Sequence, residues 1–302
     1  MKKIGLIFLF VSSLFTLSNC DSGIDEKGTP EYISKIREWQ NKRIENLKKE
    51  NGWLNLAGLF WLKEGENKFG SDKSNDVIFP EGKAPAFIGS LILLNSEVVV
   101  KIIEGVEVKS NGTVVTELKL KNDMEGETIL EYGSLRWFII KRGDKFGIRL
   151  RDLDSDLLKS FKGIERYPIN SDWRFEAQLE SYPVSKRVEI PNVLGQLDTA
   201  DVSAALTFEK GGVIYKIDPL DAGKNYFILF ADETSGTETY GSGRFLYVEK
   251  ADSLGKIFID FNKAYNPPCA FTKYATCPLP PKQNHLKMKV TAGEKNFHAS
   301  EE

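Results

Sequence analysis

A chain of 302 residues with 41% hydrophobic and 28% charged residues carries enough apolar content to bury a large core. Acids and bases almost cancel at a formal net charge of −2, and losing Lys2 and Lys3 with the first nineteen residues moves it only to −4. This balance excludes a strongly electrostatic nucleic-acid binder, and no repeat of fixed period runs along the chain.

The N-terminus opens with Lys2 and Lys3, followed by an apolar run from Ile4 to Leu17. That run suits the hydrophobic region of a signal peptide and falls short of the roughly 20 residues a membrane-spanning helix needs. It closes on Leu17-Ser18-Asn19-Cys20, which resembles a bacterial lipobox, with Asn19 where Gly or Ala is usual. The resemblance implies a lipoprotein signal peptide over 1–19 and a diacylated, palmitate-bearing Cys20. It also implies attachment to a membrane of the cell envelope, at its periplasmic face or on the outer membrane. Residues 20–30 are polar and turn-rich after the cysteine and read as a tether.

Residues 31–50 are expected to form one amphipathic helix. Ile33, Ile36, Gln40, Ile44 and Leu47 make its stripe, Trp39 lies beside it, and Glu38 and Arg43 belong to a solvated face. Thr29-Pro30 suits the helix start and Asn51-Gly52 its end. From Trp53 to Asp152 short β-type runs alternate with turn residues, and Asn111-Gly112 is a strong hairpin signal. No helical stretch separates these runs, so an antiparallel sandwich or barrel-like arrangement follows. Residues 152–172 read as a connection with a helical turn ended by Pro168, and 153–295 as a second β region. The residues after Gly293 read as a frayed end, with 296–302 set apart as a tail.

With Cys20 lipidated, Cys269 and Cys277 remain as an even pair in an oxidising compartment, and a disulfide is expected. The competing reading is a two-thiolate metal or redox site. Zinc would then need more ligands, and His285 and His298 are the only histidines. We therefore expect no metal and no cofactor. Five of the twelve prolines fall in 261–281, FNKAYNPPCAFTKYATCPLPP, which must be a rigid loop.

Two family resemblances appear in the residues. GENKFGSDKSNDVIFPEG, IGSLIL and VKSNGTVV follow the order of landmarks in forkhead-associated domains, which are β-sandwiches. Ser71 stands where their phosphate-gripping Arg would be, and Ile92 or Leu93 where their His would be. The likeness therefore implies a sandwich over about 57–152 and not phosphothreonine binding. RFEAQL, FADETSGTETYGSGRFLYV, IDFNKAYNPPCAFTKYATCPLPP and NHLKMKVTAGEK resemble the family known as domain of unknown function 1684. With WLNLAGLFWLKEGENKFGS and GIRLRD added, the resemblance spans 31–295 and implies one integrated domain and no known reaction.

A candidate site comes from the polar residues at strand ends and in the loops. Asp232, Glu233, Thr234, Ser235, Tyr240 and Arg244 surround a Gly-rich turn. Asp260, Asn262, Tyr265 and Asn266 crowd the next strand end and the proline loop, while Arg149, Arg151 and Asp152 end an earlier strand. Alternation places Asp260 and Asn262 on one face. If these groups converge, Arg244 would grip a carboxylate or phosphate. The architectural alternative has Asp232 and Thr234 capping a turn, the asparagines bonding loop amides, and Arg244 paired with Asp260. No nucleophile elbow, zinc-protease motif or phosphate loop is present, so the sequence leaves catalysis undecided. The expectation is a lipid-anchored envelope protein that binds a small polar or anionic ligand or an envelope partner. The alternatives are a hydrolase built on a carboxylate pair such as Asp232 and Asp260, and a purely structural envelope component.

Overall fold

The computed structural model describes residues 25–298, so the expected signal peptide, Cys20 and the last four residues lie outside the described residues. Helix α1 (Pro30–Lys48) starts where Thr29 accepts a hydrogen bond from the Tyr32 amide and Pro30 occupies the first turn. Ile36 and Leu47 of the expected stripe are buried, and Glu38 is exposed. Arg43 departs from expectation. Its side chain is only 15% exposed and bonds the fully buried Glu294.

The first β region is a sandwich. One sheet has the order β1 (Leu56–Trp61), β11 (Lys145–Asp152), β10 (Leu135–Arg142), β9 (Leu130–Tyr132), β6 (Lys109–Ser110) and β7 (Thr113–Val114). The other runs β3 (Val77–Ile78), β2 (Gly65–Gly70), β4 (Gly89–Leu94), β5 (Glu97–Ile102) and β8 (Glu117–Leu120). Alternation along β10 and β11 sends Trp137, Ile139, Ile148 and Leu150 inward, where Trp137 packs edge-on against Phe69 and Phe79. The same alternation turns Phe138, Arg149 and Arg151 to the outer face. The β4–β5 and β6–β7 hairpins turn through Asn95-Ser96 and Asn111-Gly112, all at positive φ as such tight turns require.

A short helix α2 (Asp156–Ser160), capped by Ser155, leads to the second β region. Here β14 (Val213–Ile217), β13 (Leu197–Lys210), β12 (Arg174–Pro191) and β18 (Ile257–Asp260) form one open sheet. Strands β15 (Leu220–Ala222), β16 (Asn225–Asp232) and β17 (Arg244–Glu249) form another, extended by a short parallel pairing of β19 (His285–Leu286) with β16. Phe175, Phe208, Phe230 and Phe261 meet between them as an aromatic core. The fold is mainly β and sandwich-like, with one N-terminal helix, and no sheet closes into a barrel among the described residues.

The C-terminal segment corrects a second expectation. Residues 294–297 are docked: Glu294 is sealed inside, the Asn296 amide bonds Glu238 O, and Phe297 packs on Phe161 and Phe271. One acid and one aromatic ring, each meeting distant partners, hold down what composition alone marks as a loose end.

Candidate functional site

The residues named from sequence fall into separate clusters. Arg244 is fully buried and reaches Asp232 at 2.6 Å. Its other donors bond the carbonyls of Val290, Ala292 and Glu294, and its Nε is sealed without a partner. Asp232 also accepts from the amide and hydroxyl of Thr234, and Thr234 meets Thr239 at 2.9 Å. The pairing is therefore Arg244 with Asp232, not with Asp260, and this guanidinium has no free edge to offer a ligand. Ser235 bonds the Asp232 amide, Tyr240 is half-buried beside the turn, and Glu233 points to solvent. Gly243 closes the turn at φ 85°, where a Cβ would stand 2.5 Å from Phe230 O.

Asp260 and Asn262 form a second cluster around the helix. β18 ends at Asp260, so Asn262 sits in the following 3-10 turn rather than on the strand. The Tyr32 hydroxyl donates to Asp260 at 2.9 Å, and burial beside this carboxylate raises the Tyr32 pKa well above its usual value. Asn262 bonds Asp260, Tyr32 and both the N–H and C=O of Asn170. These two side chains tie α1 to the β18 end. Asn266 does the same for the C-terminus: its amide donates to Glu294 at 2.7 Å and its side chain to Lys295 O. Glu294 also accepts from Arg43 and Arg166, which compensates the burial of this carboxylate.

Arg149 and Arg151 belong to the first β region. Burial pushes each guanidinium down to about 10, still charged at neutral pH. Arg149 stands behind Trp53 and shares the Thr276 hydroxyl with Arg142. Asp152 is nearby in sequence but is paired with Lys83 at 3.1 Å.

Tyr265 opens onto a large cleft. The proline loop is laid against β17 by paired backbone bonds between Tyr265 and Phe245, and the Cys269–Cys277 disulfide clips the loop beyond it. Across from it, α1 presents Trp39, Lys42, Arg43 and Asn46, and the following turn presents Trp53. With Phe227, Phe245, Tyr247 and Pro268 these residues enclose about 540 Å³. Tyr247 stacks between Phe227 and Tyr265, with centroids 4.8 and 6.3 Å away, and half of its surface is exposed. The Arg43 guanidinium lies 4.6 Å from the Tyr265 ring centre. Burial and then the neighbouring Tyr247 raise the Tyr265 pKa, so its phenol stays protonated.

Sequence reasoning missed most of this wall. Trp39, Arg43 and Asn46 lie at i, i+4 and i+7, a second helical stripe that was legible beside the apolar one. Phe227 and Tyr247 are a cross-strand pair on the outer face of β16 and β17, which only the register reveals.

The proline loop that walls this cleft lies inside the stretch that comparison with families identifies. Residues 159–295 match DUF1684, described as a protein of unknown function. The resemblance read from the motifs is borne out over that stretch, while residues 31–158 lie outside it. An uncharacterised protein of Haloarcula marismortui, solved in solution by NMR, is 29% identical over 45% of this chain and 78% of its own, with a TM-score of 0.38. An FHA domain studied for phosphothreonine-dependent interactions is 14% identical over 31% of this chain and 92% of its own, with a TM-score of 0.22. No curated protein matches. The DUF1684 stretch thus supplies the β16–β17 floor and the proline-loop wall of the cleft, and α1 supplies the opposite wall from outside it.

Proposed function

We propose that this is a lipid-anchored envelope protein that binds a small anionic ligand with a flat ring body in the cleft between α1 and the proline loop. The observation that carries the reading is the lining itself. Its ten residues include six aromatic rings and two cations, Lys42 and Arg43, and no carboxylate. Aromatic surface bordering open volume favours an apolar, ring-bearing body, and two cations without an acid favour a negative group and disfavour a cationic one. Arg43 is partly spent on Glu294 and Asn266 O, which leaves Lys42, exposed and without an ion pair among the described residues, as the mobile contact. The hydrolase reading finds no support in this cleft. Asp232 is consumed by Arg244, and Asp260 by Tyr32 and Asn262.

A thermal-shift screen of ring-bearing acids, each beside its neutral or amine analogue, tests the binding reading. Acids that raise the melting temperature more than their analogues support it, and a panel in which amines stabilise best rejects it. The anchor rests on the lipobox and has its own test. Changing Cys20 to Ala should release the protein from the membrane fraction and end lipid labelling, and continued labelling would refute the anchor.

A further inference from the structure

A second cleft of about 530 Å³ opens on the other side of the helix end, between the α1–β1 turn and the outer face of β9–β11. We propose that it binds a small zwitterion of the α-amino acid type, with the carboxylate on Arg151 and the ammonium on Glu127. This does not depend on the reading of the aromatic cleft.

Arg151 is 8% exposed, and no carboxylate lies within ion-pair distance of it among the described residues. Its Nη1 is anchored by Gly52 O and by Asn55 Oδ1, the latter at 2.8 Å. Asn55 in turn holds the turn with its own amide, donating to Lys49 O and Glu50 O. The turn is therefore folded around one edge of the guanidinium. Its Nε and Nη2 make no hydrogen bond with the protein, yet they are not sealed, in contrast to the Nε of Arg149 on the same strand. A buried guanidinium that is fixed along one edge and open along the other is preorganised for a carboxylate, which it can meet with two parallel bonds.

The rest of the lining selects among carboxylates. Glu127 lines the same cleft, and its charge is the one that favours the ionised form of Arg151. The two nevertheless stay farther apart than an ion pair. The cleft as a whole carries three cations and three acids, Lys49, Arg136 and Arg151 against Glu50, Glu127 and Glu131. Glu131 is already paired with Arg136 at 3.2 Å. That leaves Arg151 and Lys49 against Glu127 and Glu50 without ion pairs among the described residues, and of these only Arg151 is buried; such a balanced lining fits a ligand carrying both charges better than a phosphate. Phe138, over which the Arg151 guanidinium lies at 5.8 Å, and Ile129 supply an apolar side for an aliphatic side chain.

The test is a thermal-shift and calorimetric titration of the full chain in detergent with L-leucine, 4-methylpentanoate and 3-methylbutylamine. Leucine should stabilise the protein at millimolar concentration, and the two single-charge analogues should bind more weakly. Because a charge-assisted bond is lost in each case, R151Q and E127Q should each weaken leucine binding about tenfold. K42A, in the other cleft, should leave it unchanged. No leucine-dependent shift, 4-methylpentanoate binding as tightly as leucine, or an unaltered affinity in E127Q would overturn the proposal. Glu127 is exposed, so E127Q keeps the test decisive even where R151Q fails to fold.

Discussion

The loop around Arg244 and the cleft beside Tyr265 are built from adjacent stretches of sequence and have opposite characters. Around Arg244 the polar groups face one another: a guanidinium, a carboxylate, two threonines and three carbonyls are bonded together in a buried cluster, with only the Arg244 Nε left unmet. Beside Tyr265 the rings pack on one another and border open volume, and the cations come from a helix more than two hundred residues away in sequence. A concentration of polar side chains in a loop is therefore not in itself a site. When the loop must replace the regular hydrogen bonding of a strand, those side chains are spent on its backbone.

The contrast is most easily broken at the buried pair. Asp232→Ala leaves Arg244 charged in a sealed interior and should cost about 3–5 kcal/mol in urea unfolding, whereas replacing both residues by apolar ones should cost less than either single change. A fully tolerated Asp232→Ala would mean that the ion pair is not what fills this loop. Next in size is the disulfide. Cys269 and Cys277 are eight residues apart, and closing so short a loop stabilises by about 2–3 kcal/mol in the chain-entropy model. Reduction should lower the unfolding midpoint accordingly and should loosen ligand binding in the cleft, because Pro268 in its wall adjoins the clip.

Tyr247 sharpens the other side of the comparison. Half-exposed on the cleft floor but stacked between Phe227 and Tyr265, it should lose about 1–2 kcal/mol of stability in Tyr247→Ala, while ligand affinity falls about tenfold with the loss of its exposed ring surface. Equal affinity in that variant would remove the floor from the account. The smallest effect is in alkaline solution. Burial and the Glu238 bond push Tyr167 up to about 12, and burial with the Asp218 bond does the same for Tyr182. Unfolded tyrosines ionise near 10, so their contribution is complete below about pH 10 and is lost as pH rises through 12. Arg149 and Arg151, lowered by burial, act in the opposite sense, so the tyrosine part is isolated by comparison with Tyr167→Phe. Stability measured by urea midpoints should fall less steeply between pH 10 and 12 in that variant.

Much of the fold was legible. The α1 stripe and the Asn111-Gly112 hairpin were written in local spacing, where a period of 3.6 or a turn dipeptide has one physical meaning, and the disulfide was the favoured of two readings of Cys269 and Cys277. The partners of long-range charges were not. The helical stripe sets Arg43 beside Trp39 and Asn46, but nothing local names Glu294 as its partner, and nothing local told Arg244 to choose Asp232 over Asp260. Those choices follow from strand register and from the path of residues 290–297. For the same reason the cleft, assembled from α1, β16, β17 and the proline loop, held only Tyr265 among the candidate site residues.

The central claim is that this cleft holds an anionic ring ligand, and charge reversal at Lys42 tests it most directly. Lys42 is exposed and makes no ion pair among the described residues, so Lys42→Glu should leave the fold intact. Calorimetric titration of the best acid from the screen should then show affinity reduced by about tenfold or more, since a favourable charge has been replaced by a repulsive one. Unchanged or tighter binding of that acid by the variant would contradict the account.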